Sequence, residues 1–134
     1  MATLTIIDNE FVTLWYHEDS KIVHHQFHKF LFGEPFRECL SNGVETLRKY
    51  KAEKWLSDDR NNSAIPKEDF DWSTNEWRPD AIEAGWRFWA LVLPESVVGQ
   101  MSLTNIIRHF YQDGPVRVEL FSDPDEAVKW LEAQ

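Results

Sequence analysis

Cysteine is almost absent. Cys39 is the only one, which excludes an intrachain disulfide framework and suits a reducing compartment, so a cytoplasmic protein is the expectation. Glycine is scarce, and none of the five glycines falls into a Gly-x-Gly-x-x-Gly or Walker-type phosphate loop. Positive charge is scarce as well: 14 Lys and Arg stand against 23 Asp and Glu, a net charge of −9. The imbalance is uneven, because residues 1–67 carry 9 basic and 10 acidic side chains and residues 68–134 carry 5 and 13. With no Lys/Arg run to track phosphates, neither nucleic acid nor an anionic membrane surface is an expected partner. The acidity reads as solubility. No apolar stretch approaches the length of a membrane span. Met1 to Asp8 lacks the cationic start and apolar run of a secretory signal. Repeats, low-complexity tracts and Gly/Ser linkers are missing too, so residues 1–134 are expected to form one domain.

What the chain has in excess is tryptophan, with seven in 134 residues. That many indoles imply a bulky core, or some indoles left at a pocket or interface.

The pattern along the chain alternates after a β start. Phe11 to Tyr16 is rich in β-formers, His17 to Ser20 reads as a turn, and Ile22 to Leu31 continues as a second strand, so a hairpin is expected. Gly33-Glu34-Pro35 opens a helix, with Phe36, Cys39, Leu40 and Leu47 at helical spacing to about Tyr50. Gly43 interrupts it and marks either a bend or a close approach of helix to sheet. A short strand, Lys54 to Ser57, follows. Residues 58–85 are the least regular, with helix starts at Ile65–Asp69 and Arg78–Gly85.

Arg87 to Leu93 is nearly continuous apolar sequence, as in a strand covered on both faces. Met101, Ile106, Ile107 and Phe110 suggest an amphipathic helix, and Val116 to Phe121 alternates as a strand covered on one face should. Asp123-Pro124-Asp125-Glu126 is a strong helix start, with Ala127, Trp130 and Leu131 as the buried face. The expected fold is α/β: a single-domain mixed, mostly parallel sheet of about five strands, beginning with a β-hairpin and backed by helices.

The hairpin, the later alternation, and the segments Trp55-Leu56-Ser57-Asp58-Asp59-Arg60 and Glu126-Ala127-Val128-Lys129-Trp130-Leu131 resemble STAS-like domains. In particular they resemble bacterial STAS/SEC14-type domains of unknown function. The resemblance implies a four- or five-stranded sheet backed by helices, acting as a binding or signalling module. The phosphorylatable serine of the anti-sigma-factor antagonists in that family sits in an Asp-Ser-Ser-Gly-type loop. This sequence has no such loop, and Ser57 and Ser63 lack its following glycine.

The stretch from Trp55 to Arg60 is the one place where the sequence points at a site, because loops after strands are where α/β proteins bind ligands. Asp58 and Asp59 could hold a hard cation, and Arg60 could pair a carboxylate or phosphate. The bland reading is local capping and pairing. Trp72 and Trp77 either wall a pocket or cover the sheet edge. The ligand- or partner-binding candidates are therefore Ser57, Asp58, Asp59, Arg60, Trp72 and Trp77.

His24 and His28 share a strand face about 13 Å apart at 3.3 Å per residue, too far for one zinc, and His25 points to the other face. Cys39 reads as a small buried residue. No catalytic residue, metal or cofactor is expected. Three functions remain open: a non-catalytic module binding a small molecule or protein, an enzyme using an Asp58 or Asp59 carboxylate, and a homodimeric assembly protein whose indoles form the interface.

Overall fold

Three antiparallel strands lead the chain in the computed structural model, which describes residues 2–134. They are β1 (Thr3–Asp8), β2 (Val12–His17) and β3 (Ile22–Phe27). The hairpin of the sequence pattern is β2–β3, with Lys21 taking the left-handed turn position at φ 59°. β1 is one strand more than the pattern picks out. A bulge between Thr5 and Ile7 breaks its alternation, and the strand lies at the sheet edge with no residue fully buried. β3 stops at Phe27 rather than Leu31, and the His28 ring is held by Thr13 Oγ1 at 2.8 Å.

From β3 onward every pairing is parallel. α1 (Glu34–Tyr50) leads to β4 (Lys54–Asp58). Then come α2 (Lys67–Trp72), a π-helical turn (Ser73–Trp77) and α3 (Arg78–Ala84), which deliver the chain to β5 (Phe88–Val92). α4 (Val97–Phe110) connects to β6 (Arg117–Phe121), and α5 (Pro124–Glu132) closes the fold. The strands lie in chain order, β1 to β6, in one six-stranded sheet. Crossovers of one hand marching in one direction place all their helices on the same face. α1, the π turn, α3 and α4 accordingly pack together on one side, and α5 alone lies on the other.

The larger core joins that helical side to Val12, Leu14, Tyr16, Val23, Phe27 and Trp55 of the strands. The smaller one sets Ala127 and Leu131 of α5 against Ile22, Leu56, Ala90 and Val92. Asp123 caps α5, its side chain accepting from the Asp125 amide at 3.0 Å, and Pro124 occupies the first turn. Of the two roles open to Gly43, the close approach is the one realised: a methyl there would overlap the ring of Trp55. Trp86 and Trp89 share the larger core because alternation begins only at Phe88, where β5 starts. On α4 it is Leu103 that is buried, while Met101 stands 61% exposed.

Candidate functional site

β4 ends under the helical layer, and its last residues set the geometry. Strand alternation turns Ser57 toward the helices and Asp58 toward the opposite face, and Asp59, just past the strand, turns back in. The two adjacent acids are thus separated. Asp58 receives Arg60 in a fork, Nε donating to Oδ1 at 2.9 Å and Nη2 to Oδ2 at 2.8 Å, and also accepts from the Arg60 amide at 3.3 Å. This pairing raises the Arg60 pKa further. The pair is local, and with Asp59 turned to the other face the two carboxylates share no cradle for a cation.

Asp59 is bonded to His25 of β3, with Nε2 2.8 Å from Oδ1, and both side chains are buried. On the far side of the imidazole, Trp55 Nε1 donates to Nδ1 at 3.0 Å. Indole nitrogen can only donate, so Nδ1 is the bare nitrogen and the ring proton sits on Nε2, toward Asp59. Asp59 Oδ2 takes no hydrogen bond from the described residues. Beside this relay, Trp89 Nε1 donates to Ser57 Oγ at 2.8 Å. His25 and Ser57 are register partners across β3–β4. Both ring nitrogens of His25 are already engaged, however, so the trio does not form a hydroxyl-activating Ser–His–Asp arrangement.

A partly enclosed cavity opens above these groups, between the sheet and α4. It holds about 60 Å³ of space for the centres of water molecules. At about 10–15 Å³ per water, that is room for about four or five waters or a small organic molecule. Its polar lining residues are His25, Ser57, Asp59, Ser73 and Thr74, and its walls include Trp55, Trp77, Trp86, Trp89 and Tyr111. Burial pushes the Tyr111 hydroxyl pKa up. The π turn, a feature found at many functional sites, brings Ser73, Thr74 and Trp77 to the lining together. Trp77 is fixed by its Nε1 donating to the Leu40 carbonyl at 2.8 Å. Trp86 Nε1 is buried and meets no acceptor. Leu103 and Ile106 of α4 form the roof, and α4 itself buries fully only Gly99 and Leu103 of its 14 residues.

Of the residues singled out from sequence, Ser57, Asp59 and Trp77 come together on the cavity. Asp58 and Arg60 do not. Trp72 is half-buried outside the lining, with the Arg37 guanidinium 5.3 Å from its ring centre. Asp69, also buried, ties α2 to the start of α1 by accepting from the Gly33 amide at 2.8 Å and Arg37 Nε at 3.1 Å. His25, Trp55, Trp86, Trp89 and Tyr111 were not among the candidates. The usable signal for His25 was its inward parity on β3, which places it beside Ser57 once the two strands pair in parallel.

On the outer face, His17 Nε2 and His24 Nδ1 lie 3.0 Å apart, and the His24 ring packs against Trp15 at a 45° tilt with ring centres 4.6 Å apart. Burial, with a smaller push from His17, lowers the His24 pKa from 6.5 to about 3. His28 keeps to Thr13. Among the described residues no three His, Cys, Asp or Glu side chains converge as a metal site would need. Cys39 of α1 is fully buried, and burial pushes its thiol pKa well up. No helix among the described residues is long and apolar enough to cross a membrane.

No family model matches this chain, and neither a curated protein nor a solved structure matches it.

Proposed function

We propose that the protein is a non-catalytic binding module, of the regulatory kind that the STAS resemblance suggests, whose cavity between the sheet and α4 receives a small molecule. A cytoplasmic setting fits a chain whose one thiol is buried and unreactive. The observation that carries the reading is the lining: four indoles and Tyr111 around the buried residue Asp59, whose Oδ2 takes no hydrogen bond from the described residues, in a partly enclosed space between the sheet and its helices. Apolar walls supply the attraction, and a few polar atoms supply the orientation. The thinly anchored α4 supplies access.

The test is a thermal-shift and tryptophan-fluorescence screen against a broad set of small metabolites, run on the wild type and on Ile106→Phe. The phenyl ring adds bulk to the cavity lining from α4, which buries fully only two of its 14 residues. At least one compound is expected to raise Tm and change the emission of the wild type, and to lose both effects in Ile106→Phe. A hit that survives Ile106→Phe, or a screen without hits, contradicts the reading.

A further inference from the structure

The cavity's charge is one-sided. Its lining contains a carboxylate, Asp59, and no lysine or arginine. The Trp55 donor leaves Nδ1 of His25 bare, so the imidazole carries a single proton and brings no compensating positive charge to Asp59. Asp59 Oδ2 accepts no hydrogen bond from the described residues and is not one of their buried unpartnered atoms, so it keeps an acceptor site within reach of water or a ligand, and an open carboxylate oxygen favours a donor or a cation as its partner.

The walls add one buried donor without an acceptor among the described residues, Trp86 Nε1, which asks for an oxygen on the ligand as well, such as the hydroxyl of an amino alcohol. Ring centres step from Trp55 to Trp77 at 5.5 Å, Trp77 to Trp86 at 5.1 Å, Trp86 to Trp89 at 5.3 Å and Trp89 to Tyr111 at 5.0 Å. All four contacts are edge-to-face or tilted, the arrangement that aromatic quadrupoles prefer. Indole faces are negative and attract cations, most strongly where water is excluded. Among the described residues no lysine or arginine stands over Trp55, Trp77, Trp86 or Trp89. The cation–ring contacts elsewhere involve Phe11, Trp72, Tyr50 and Phe110, and, at the cavity's edge, Arg78 beside Tyr111. A carboxylate ligand would meet Asp59 as a like charge. A neutral hydrocarbon would leave Oδ2 without a partner.

We propose that the cavity selects a small organic cation, an ammonium compound of fewer than about ten non-hydrogen atoms, held by the indole cage with its charge toward Asp59. This rests on the reading of the cavity as the ligand site and names the class of ligand.

The seven indole N–H groups give a direct readout by ¹H–¹⁵N NMR. The probes are choline, its uncharged carbon isostere 3,3-dimethylbutan-1-ol, and the anion 3,3-dimethylbutanoate. Choline is expected to shift the Trp86 and Trp89 signals to saturation and to bind about tenfold more tightly than the alcohol, the anion giving no saturable shift. In Asp59→Asn the charged and neutral isosteres should bind within about threefold of each other. The wild-type ranking decides the matter even where Asp59→Asn fails to fold. If the alcohol or the anion binds as tightly as choline, the cation selectivity is overturned while the cavity remains a ligand site. If no probe moves an indole signal, the cation inference is overturned, and the wider screen with Ile106→Phe judges the cavity separately.

Discussion

Replacing Gly43 by alanine sets two effects of opposite sign against each other. Position 43 lies inside α1, where alanine is worth about 1 kcal/mol more than glycine in helix propensity. Propensity alone therefore predicts a more stable protein. Packing predicts the reverse, because the new methyl would overlap the six-membered ring of Trp55. Displacing that ring breaks its packing and its hydrogen bond, even though one side of it borders the cavity. Trp55 is 1% exposed, its Nε1 is bonded to His25, and its ring packs on Trp77 and Trp86.

Overpacking of this kind costs about 1–3 kcal/mol, at the upper end when a helix must move. Disturbing the Trp55–His25 bond adds about 1 kcal/mol. The sum, less the propensity gain, is a destabilisation of about 1–3 kcal/mol and a Tm lower by several degrees. Urea unfolding of wild type and Gly43→Ala measures it. In a Trp55→Leu background the ring is gone, and the same substitution is expected to become neutral or stabilising. A Gly43→Ala protein as stable as wild type, or more so, refutes the close approach and with it the wall that Trp55 gives the cavity.

Asp59→Ala is expected to cost about 1.5–3 kcal/mol, since it strips a buried charged partner from His25, whereas Asp58→Ala should cost under about 1 kcal/mol because Arg60 is 37% exposed and regains water. Equilibrium denaturation of the two variants checks the order. His24 binds its proton more weakly folded, at about 3, than unfolded, near 6.5. Its contribution is therefore fully present above about pH 6.5 and lost as pH falls toward 3, by at most about 1.4 kcal/mol per pH unit. His24→Gln should flatten the stability profile in that window relative to wild type, and parallel profiles would contradict the burial of the ring. Cys39 should react with a thiol reagent only at the rate of unfolding, as its pKa is pushed up by complete burial. Amide exchange should be much faster in α4 than in α1, which buries seven residues, and should slow when the cavity is filled.

The architecture was legible where periodicity and punctuation agree. α1 begins at the Gly33-Glu34-Pro35 signal and α5 at the Asp123 cap, and the continuous apolar run at residues 87–93 is the strand covered on both faces. β1 was hidden because a bulge interrupts its alternation and the edge of the sheet demands little burial. The outer limit of β3 was overdrawn because apolar residues continue after the strand, yet Phe30 and Phe32 are left exposed.

At the site, position was legible and partnership was not. A strand-end loop at Ser57 to Asp59 follows from the alternating pattern. That Asp59 turns inward to His25, 34 residues earlier, depends on which strands become neighbours and in what register. The indoles Trp86 and Trp89 join the lining because regular pleating starts only at Phe88, a boundary that apolar composition does not mark.

The most direct measurement is a crystal structure of the protein soaked in a mixture of small organic molecules that includes ammonium compounds. The account predicts a bound molecule between α4 and the indole cage, in contact with Trp86 and Trp89 and with a donor or cationic group on Asp59 Oδ2. A cavity that stays empty or closes under α4, with molecules bound only in the groove beside His17 and His24, would contradict it.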